Sequence, residues 1–188
     1  MASTVHTGGY HRWSIRLHWA MVLLFVVVYA FIELRVLFDK GTDAREAMKA
    51  AHFMCGLLVL LLVWLRIALR LIYRVQPIVP LPPAWQRVAS ATMQGALYLM
   101  MIGMPLAGWA TLSAYGNPVP FFGLELPAIV ATDRALASQL QDWHVRIGDL
   151  GYWLIGLHAV AGLAHHYVRK DNALTRMLPA KAARTDPA

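Results

Sequence analysis

The stretch GLHAVAGLAHHYVRKDN, residues 156–172, decides how this chain is read. Its first half has the composition of a membrane interior, yet His158 stands there among Leu157, Ala159, Val160 and Leu163. An imidazole in hydrocarbon costs free energy unless its ring nitrogens find partners. Two more histidines, His165 and His166, follow near the polar end of the same segment. The fold and function therefore turn on what His158 is bonded to.

Working outward, the chain has 188 residues, of which 59% are hydrophobic and 14% charged. A soluble domain carries about 25% charged residues. The apolar excess lies in four long runs, roughly 17–38, 50–73, 88–112 and 144–168. Each is long enough to cross a bilayer, which takes about 20 residues. The expected fold class is all-α, an integral membrane four-helix bundle, with 1–188 forming a single membrane domain and 179–188 a disordered tail. The first run follows Arg12 and Arg16 but is too long for a cleaved leader, and no cleavage site with a polar mature start follows it.

The net charge of +7 does not point to nucleic acid, because the basic residues sit at the ends of the apolar runs. Arg12, Arg16, Arg66, Arg70, Arg74, Arg87, Arg169, Lys170, Arg176, Lys181 and Arg184 all fall on one side of the expected membrane, with only Asp171 and Asp186 among them. The positive-inside rule puts that side, and both termini, in the cytoplasm. The expected localisation is a bacterial inner membrane, crossed several times. One cysteine, Cys55, excludes an internal disulfide framework, and the lack of a C-x-x-C-H motif excludes covalent c-type haem. The link near 73–87 contains Pro77, Pro80, Pro82 and Pro83 and reads as stiff and extended. The stretch 117–133 reads as an outer loop that dips into the interface through Phe121 and Phe122.

The histidines fall at two depths. His18 begins the first span on the cytoplasmic side; His52 and His144 begin the second and fourth on the outer side. His158 is 14 residues beyond His144, so about 21 Å deeper and within about 40° of the same helix face. This pairs His18 with His158 and His52 with His144. Paired imidazoles from facing helices are what a bis-histidine b-type haem needs, one to each side of the iron. The plainer reading is that each is a polar group bonded across helices; four at two matched depths favour ligation. Gly56, Gly148 and Gly162 each follow a histidine by one turn and would let a flat macrocycle lie against the helix. Helix packing is the competing use of those glycines.

Other groups carry less. Arg66, Arg70 and Arg74 form a stripe that reads as interface anchoring ahead of binding haem carboxylates. Arg45, Lys49 and Arg146 flank the outer pair and could attract a small anion; anchoring at the membrane interface is the competing use. Met93, Met100, Met101 and Met104 read as core filling in the third span.

RLHW at 16–19, AHFMCG at 51–56, DWH at 142–144 and LGYWLIGLHAVAGLAHHYVRKDNALTRMLP at 150–179 resemble bacterial cytochrome b561 over nearly the whole chain. In length and span number the chain resembles the short, stand-alone four-helix members, a group that includes a di-haem superoxide oxidase passing electrons from periplasmic superoxide to ubiquinone. The resemblance implies two non-covalent b-type haems held at His18, His52, His144 and His158. It also implies a quinone near His165, where that ring would take part in proton transfer. The third span departs from the pattern at Ala91-Thr92-Met93-Gln94, where some relatives are expected to carry histidine.

The expected activity is therefore superoxide:quinone oxidoreduction, with membrane lipid, quinone and superoxide as partners and no nucleic acid. One rival is a haem-bearing subunit relaying electrons between a protein dehydrogenase and quinone, in which a protein replaces superoxide as electron donor. The other is a non-redox, histidine-lined proton-conducting or transport protein.

Overall fold

The computed structural model describes residues 9–73 and 77–178. Arg74 and the tail 179–188 lie outside the described residues. Four helices, α1 (Arg12–Leu34), α2 (Asp43–Ile72), α3 (Ala84–Tyr115) and α4 (Arg134–Ala164), are long and apolar enough to cross a membrane. Each starts before its apolar run does, because polar residues form the first turn. Thr42 caps α2, with Asp43 and Glu46 set in the positive N-terminal turn. Asp133 caps α4 by accepting from the backbone N–H groups of Ala135 and Leu136. His11 caps α1 through its Nδ1 and also stacks on Tyr73, with ring centres 3.8 Å apart.

Successive helices pack as neighbours, α1 on α2, α2 on α3 and α3 on α4. A core of Met21, Val59, Val63 and Met101 ties α1, α2 and α3 together. The backbones of α1 and α4 stay further apart, and side chains cross the gap. The Tyr29 hydroxyl donates to the Gly148 carbonyl at 2.9 Å, and the Tyr152 hydroxyl donates to Glu33 Oε1 at 3.0 Å. The two tyrosine rings lie against each other, 4.3 Å between centres. Leu61, Leu65, Leu71, Leu99, Trp153 and Val160 are among the many large apolar side chains left exposed on the outside of the bundle, as a lipid-facing surface requires.

The connection after α3 contains more structure than a loop. Gly116 closes the helix at φ 73°. Strands β1 (Val119–Phe121) and β2 (Leu124–Leu126) then pair antiparallel, Val119 opposite Leu126 and Phe121 opposite Leu124. The turn between them places Phe122 and Gly123 at positive φ, as a two-residue hairpin turn demands. Val119 is buried, β1 packs on α2, and the Phe122 N–H donates to the Met54 sulfur. This hairpin caps the end of the bundle opposite the termini.

Beyond α4 the helix widens into a π-helical turn, His165–Arg169, which stops at Lys170 in a left-handed conformation. The chain then folds back across the terminal end of the bundle. Asn172 is clamped to Val79 by two bonds: the Val79 N–H donates to its side chain and its own N–H donates to the Val79 carbonyl. The Trp19 indole N–H donates to the Met177 carbonyl at 2.8 Å, and the Tyr10 N–H donates to the Arg176 carbonyl.

At Gly151 of α4 the Tyr29 side chain of α1 comes close. A methyl group there would collide with the Tyr29 hydroxyl and lie 3.1 Å from the Met100 sulfur. Gly151→Ala is therefore expected to destabilise the protein by about 1–3 kcal/mol. Tyr29→Phe removes the colliding oxygen, so the same change in that background should cost less. Thermal unfolding of the two single variants and the double variant in detergent checks this coupling.

Candidate haem-binding site

Imidazoles converge at two levels of the bundle. Near the terminal end, His18 of α1 faces His158 of α4, with ring centres 6.4 Å apart and ring planes at 82°. Near the hairpin end, His52 of α2 faces His144 of α4, at 6.2 Å and 78°. Helix α4 supplies one ring to each level because His144 and His158 share a face.

These pairs can be tested for iron. An imidazole nitrogen sits about 2 Å from a transition metal, so two rings on opposite sides of one metal have centres roughly 6 Å apart. Both pairs meet that spacing. Among the described residues no cluster of three or more His, Cys, Asp or Glu could enclose a metal ion. Each pair therefore offers two axial donors, the number a haem iron takes when its macrocycle supplies the rest. The hydrogen bonds agree. His52 Nδ1 lies 3.0 Å from the Val28 carbonyl, which only accepts, so Nδ1 carries the proton and Nε2 keeps its lone pair. His144 Nδ1 is buried and interacts with the Met104 backbone, which likewise leaves Nε2 as the nitrogen that could bind a metal.

The glycines divide by surroundings. A methyl group built on Gly56 or Gly162 would meet nothing within 4 Å, so both leave room beside a ring. Gly148 lies against the Met104 methyl group, in ordinary contact, and its carbonyl is engaged by Tyr29. The glycine that comes closest to one of the four histidines is Gly108 of α3, where a methyl group would stand 3.2 Å from His144 Cε1. Gly108 is not one turn from a histidine in sequence, so its role becomes visible only when α3 is packed against α4.

The flanking charges also have specific partners. Arg45 donates to the carbonyls of Arg35 and Phe38, at 3.2 and 2.8 Å, and so closes the turn after α1. Lys49 pairs with Glu46 at 2.8 Å, and the Arg146 guanidinium lies 5.9 Å from the centre of the Trp143 ring. Arg35 is close enough to His52 to act on it electrostatically, and Arg66 does so on both His18 and His158. Arg66, half-buried, and Arg70, exposed, line a small cavity with Tyr10, His11, Ser14 and Tyr98 and could receive haem carboxylates.

His165 lies two turns beyond His158 on the same face of α4. Its Nδ1–H donates to Asp171 Oδ2 at 2.5 Å, and its side chain is only 16% exposed. His166 lines an open cleft with Val79, Lys170, Asp171, Asn172 and Thr175.

Comparison with known proteins adds to this geometry. The family described as prokaryotic cytochrome b561 matches residues 9–180. The chain is 35% identical over 170 residues to cytochrome b561 homolog 1 of Escherichia coli, covering 90% of this chain and 97% of that protein. It is 37% identical over 168 residues to a protein of Yersinia pestis described as a probable superoxide oxidase CybB, covering 89% and 94%. It is 31% identical over 177 residues to cytochrome b562 of Cereibacter sphaeroides, covering 90% and 95%.

Gly108→Val is expected to push the His144 ring off its position while leaving the other histidine pair intact. Haem per chain, measured on the purified variant by pyridine haemochrome assay, should fall by about half if each pair holds one haem.

Proposed function

The chain belongs to the prokaryotic cytochrome b561 family of membrane electron-transfer proteins, and we propose that it carries two b-type haems and moves electrons from superoxide to ubiquinone. The family binds b-type haem. The observation that carries the two-haem reading is the pair of ring spacings, 6.4 Å for His18 with His158 and 6.2 Å for His52 with His144. Each spacing would let the two imidazoles hold one iron between them. The similarity to the Yersinia protein supports superoxide as donor.

In this reading the terminal end lies in the cytoplasm, as the basic residues there favour. Superoxide arrives at the hairpin end, where Arg45, Lys49 and Arg146 supply local positive charge beside the outer histidine pair, although acids outnumber basic residues at that end as a whole. Bound haem supplies one-electron storage and transfer. The protein's contribution is placement. His52 and His144 fix the entry level and His18 and His158 the exit level. The Tyr29 and Met100 side chains meet at Gly151, seven residues from each α4 ligand, and fill the interior between the levels. Gly56 and Gly162 leave space for a macrocycle edge. Arg66 and Arg70 would receive its carboxylates at the terminal end. His165, two turns past His158, passes protons to the quinone. Two superoxide ions give up two electrons and become two molecules of oxygen; ubiquinone takes those electrons and two protons and becomes ubiquinol.

The test is a superoxide pulse on the purified, oxidised protein, followed by haem absorbance with and without ubiquinone. Rapid reduction that quinone drains and catalase does not affect is expected. Haem that stays oxidised to superoxide but responds to dithionite would replace superoxide with another donor. Substituting His52 or His144 by alanine should remove one haem of two; unchanged pigment would overturn the ligand assignment.

A further inference from the structure

Asp171 is a carboxylate buried at the end of a membrane helix, with a side chain only 3% exposed. Such burial is costly unless the oxygens are well bonded. Both are engaged: Oδ2 accepts from His165 Nδ1–H at 2.5 Å, and Oδ1 accepts from the Ala173 N–H at 2.9 Å. The backbone returns to the same place, since the N–H groups of Lys170 and Asp171 both donate to the His165 carbonyl. The π-helical turn and the left-handed Lys170 create this reversal. Without them a residue six positions after His165 would continue along the helix and away from it.

The segment that presents Asp171 is itself anchored. Asn172 is bonded twice to Val79 in the connection between α2 and α3, and the Met177 carbonyl is held by Trp19 of α1. Asp171 is thus fixed relative to α1, the α2–α3 connection and α4. Among the described residues, His165 Nε2 has no hydrogen-bond partner.

We propose that Asp171 is the positioning residue of the quinone site: it holds the proton on His165 Nδ1, so that Nε2 is the nitrogen presented to a quinone carbonyl oxygen. This deepens the reading above and rests on it for placing quinone beside His165. A carboxylate that accepts Nδ1–H selects one tautomer and one ring orientation. Nε2, protonated from water at the terminal end so that both ring nitrogens carry a proton, donates to the quinone oxygen and gives that proton up as the oxygen is reduced. Nδ1 keeps its proton throughout. The two electrons come from two superoxide ions by way of the haems, and the two protons from the aqueous side. His166 lines an open cleft that Asp171 also borders, but it is His165 that is bonded to the carboxylate.

The test uses the full-length, haem-loaded protein with superoxide as donor and decylubiquinone as acceptor. Asp171→Asn offers Nδ1 an amide that can donate and so favour the other tautomer. It should keep its haem content and its superoxide-driven haem reduction. Its kcat for quinone should fall about 10-fold or more, with KM within about 2-fold. A normal kcat in Asp171→Asn, alongside lost turnover in His165→Gln, would overturn the positioning role and leave the quinone site standing. Normal turnover in His165→Gln would remove the quinone site and this proposal with it. Where Asp171→Asn does not accumulate with haem, Asp171→Glu is read instead. Its longer side chain misplaces the imidazole, so kcat should fall at constant KM, and an unchanged kcat overturns the proposal.

Discussion

Two imidazoles on one helix, His144 and His158, stand in an apolar bundle where an unpartnered ring nitrogen is expensive, and the remaining helices are arranged to bring each a second imidazole. That requirement accounts for much of the architecture. It explains why α1 and α4 are bridged by long side chains while their backbones stay apart. It explains why α3 approaches His144 through a glycine, Gly108, where a larger residue would press on the ring. It also accounts for the direction of the His52 hydrogen bond, which commits Nδ1 to Val28 and leaves Nε2 its lone pair.

The two ends of the bundle serve the same requirement differently. At the hairpin end, β1 and β2 lie over α2, and Arg45 ties the turn after α1 by its carbonyls. Charge at that end is held against backbone, a neighbouring acid or an indole. At the terminal end the chain folds back after α4, and Asp171 meets His165 beneath a strap bonded to Trp19 and Val79.

Much of the fold was legible in the sequence because membrane spans announce themselves by length and composition, and the four helices contain the four apolar runs. Their true starts were not, because Asp43 and Arg134 open polar first turns that hydropathy alone assigns to loops. The hairpin was missed for a similar reason: its strands are three residues each, and its turn puts Phe122, a residue ill suited to positive φ, where glycine or asparagine would have signalled it. Histidine pairing across helices could be argued from rise and angle. Gly108 and Gly151 could not, because a glycine's role depends on which helix faces it. The contact between Asp171 and His165 depends on a chain reversal through a π-helical turn, which no periodicity encodes.

The central claim is that four histidines form two axial pairs with nearly perpendicular ring planes, 82° and 78°. Electron paramagnetic resonance of the oxidised, haem-loaded protein at low temperature tests it most directly. Two low-spin ferric signals of the strongly anisotropic kind that perpendicular imidazoles produce are expected. A single low-spin signal, a dominant high-spin signal, or the rhombic pattern of parallel imidazole planes would contradict it.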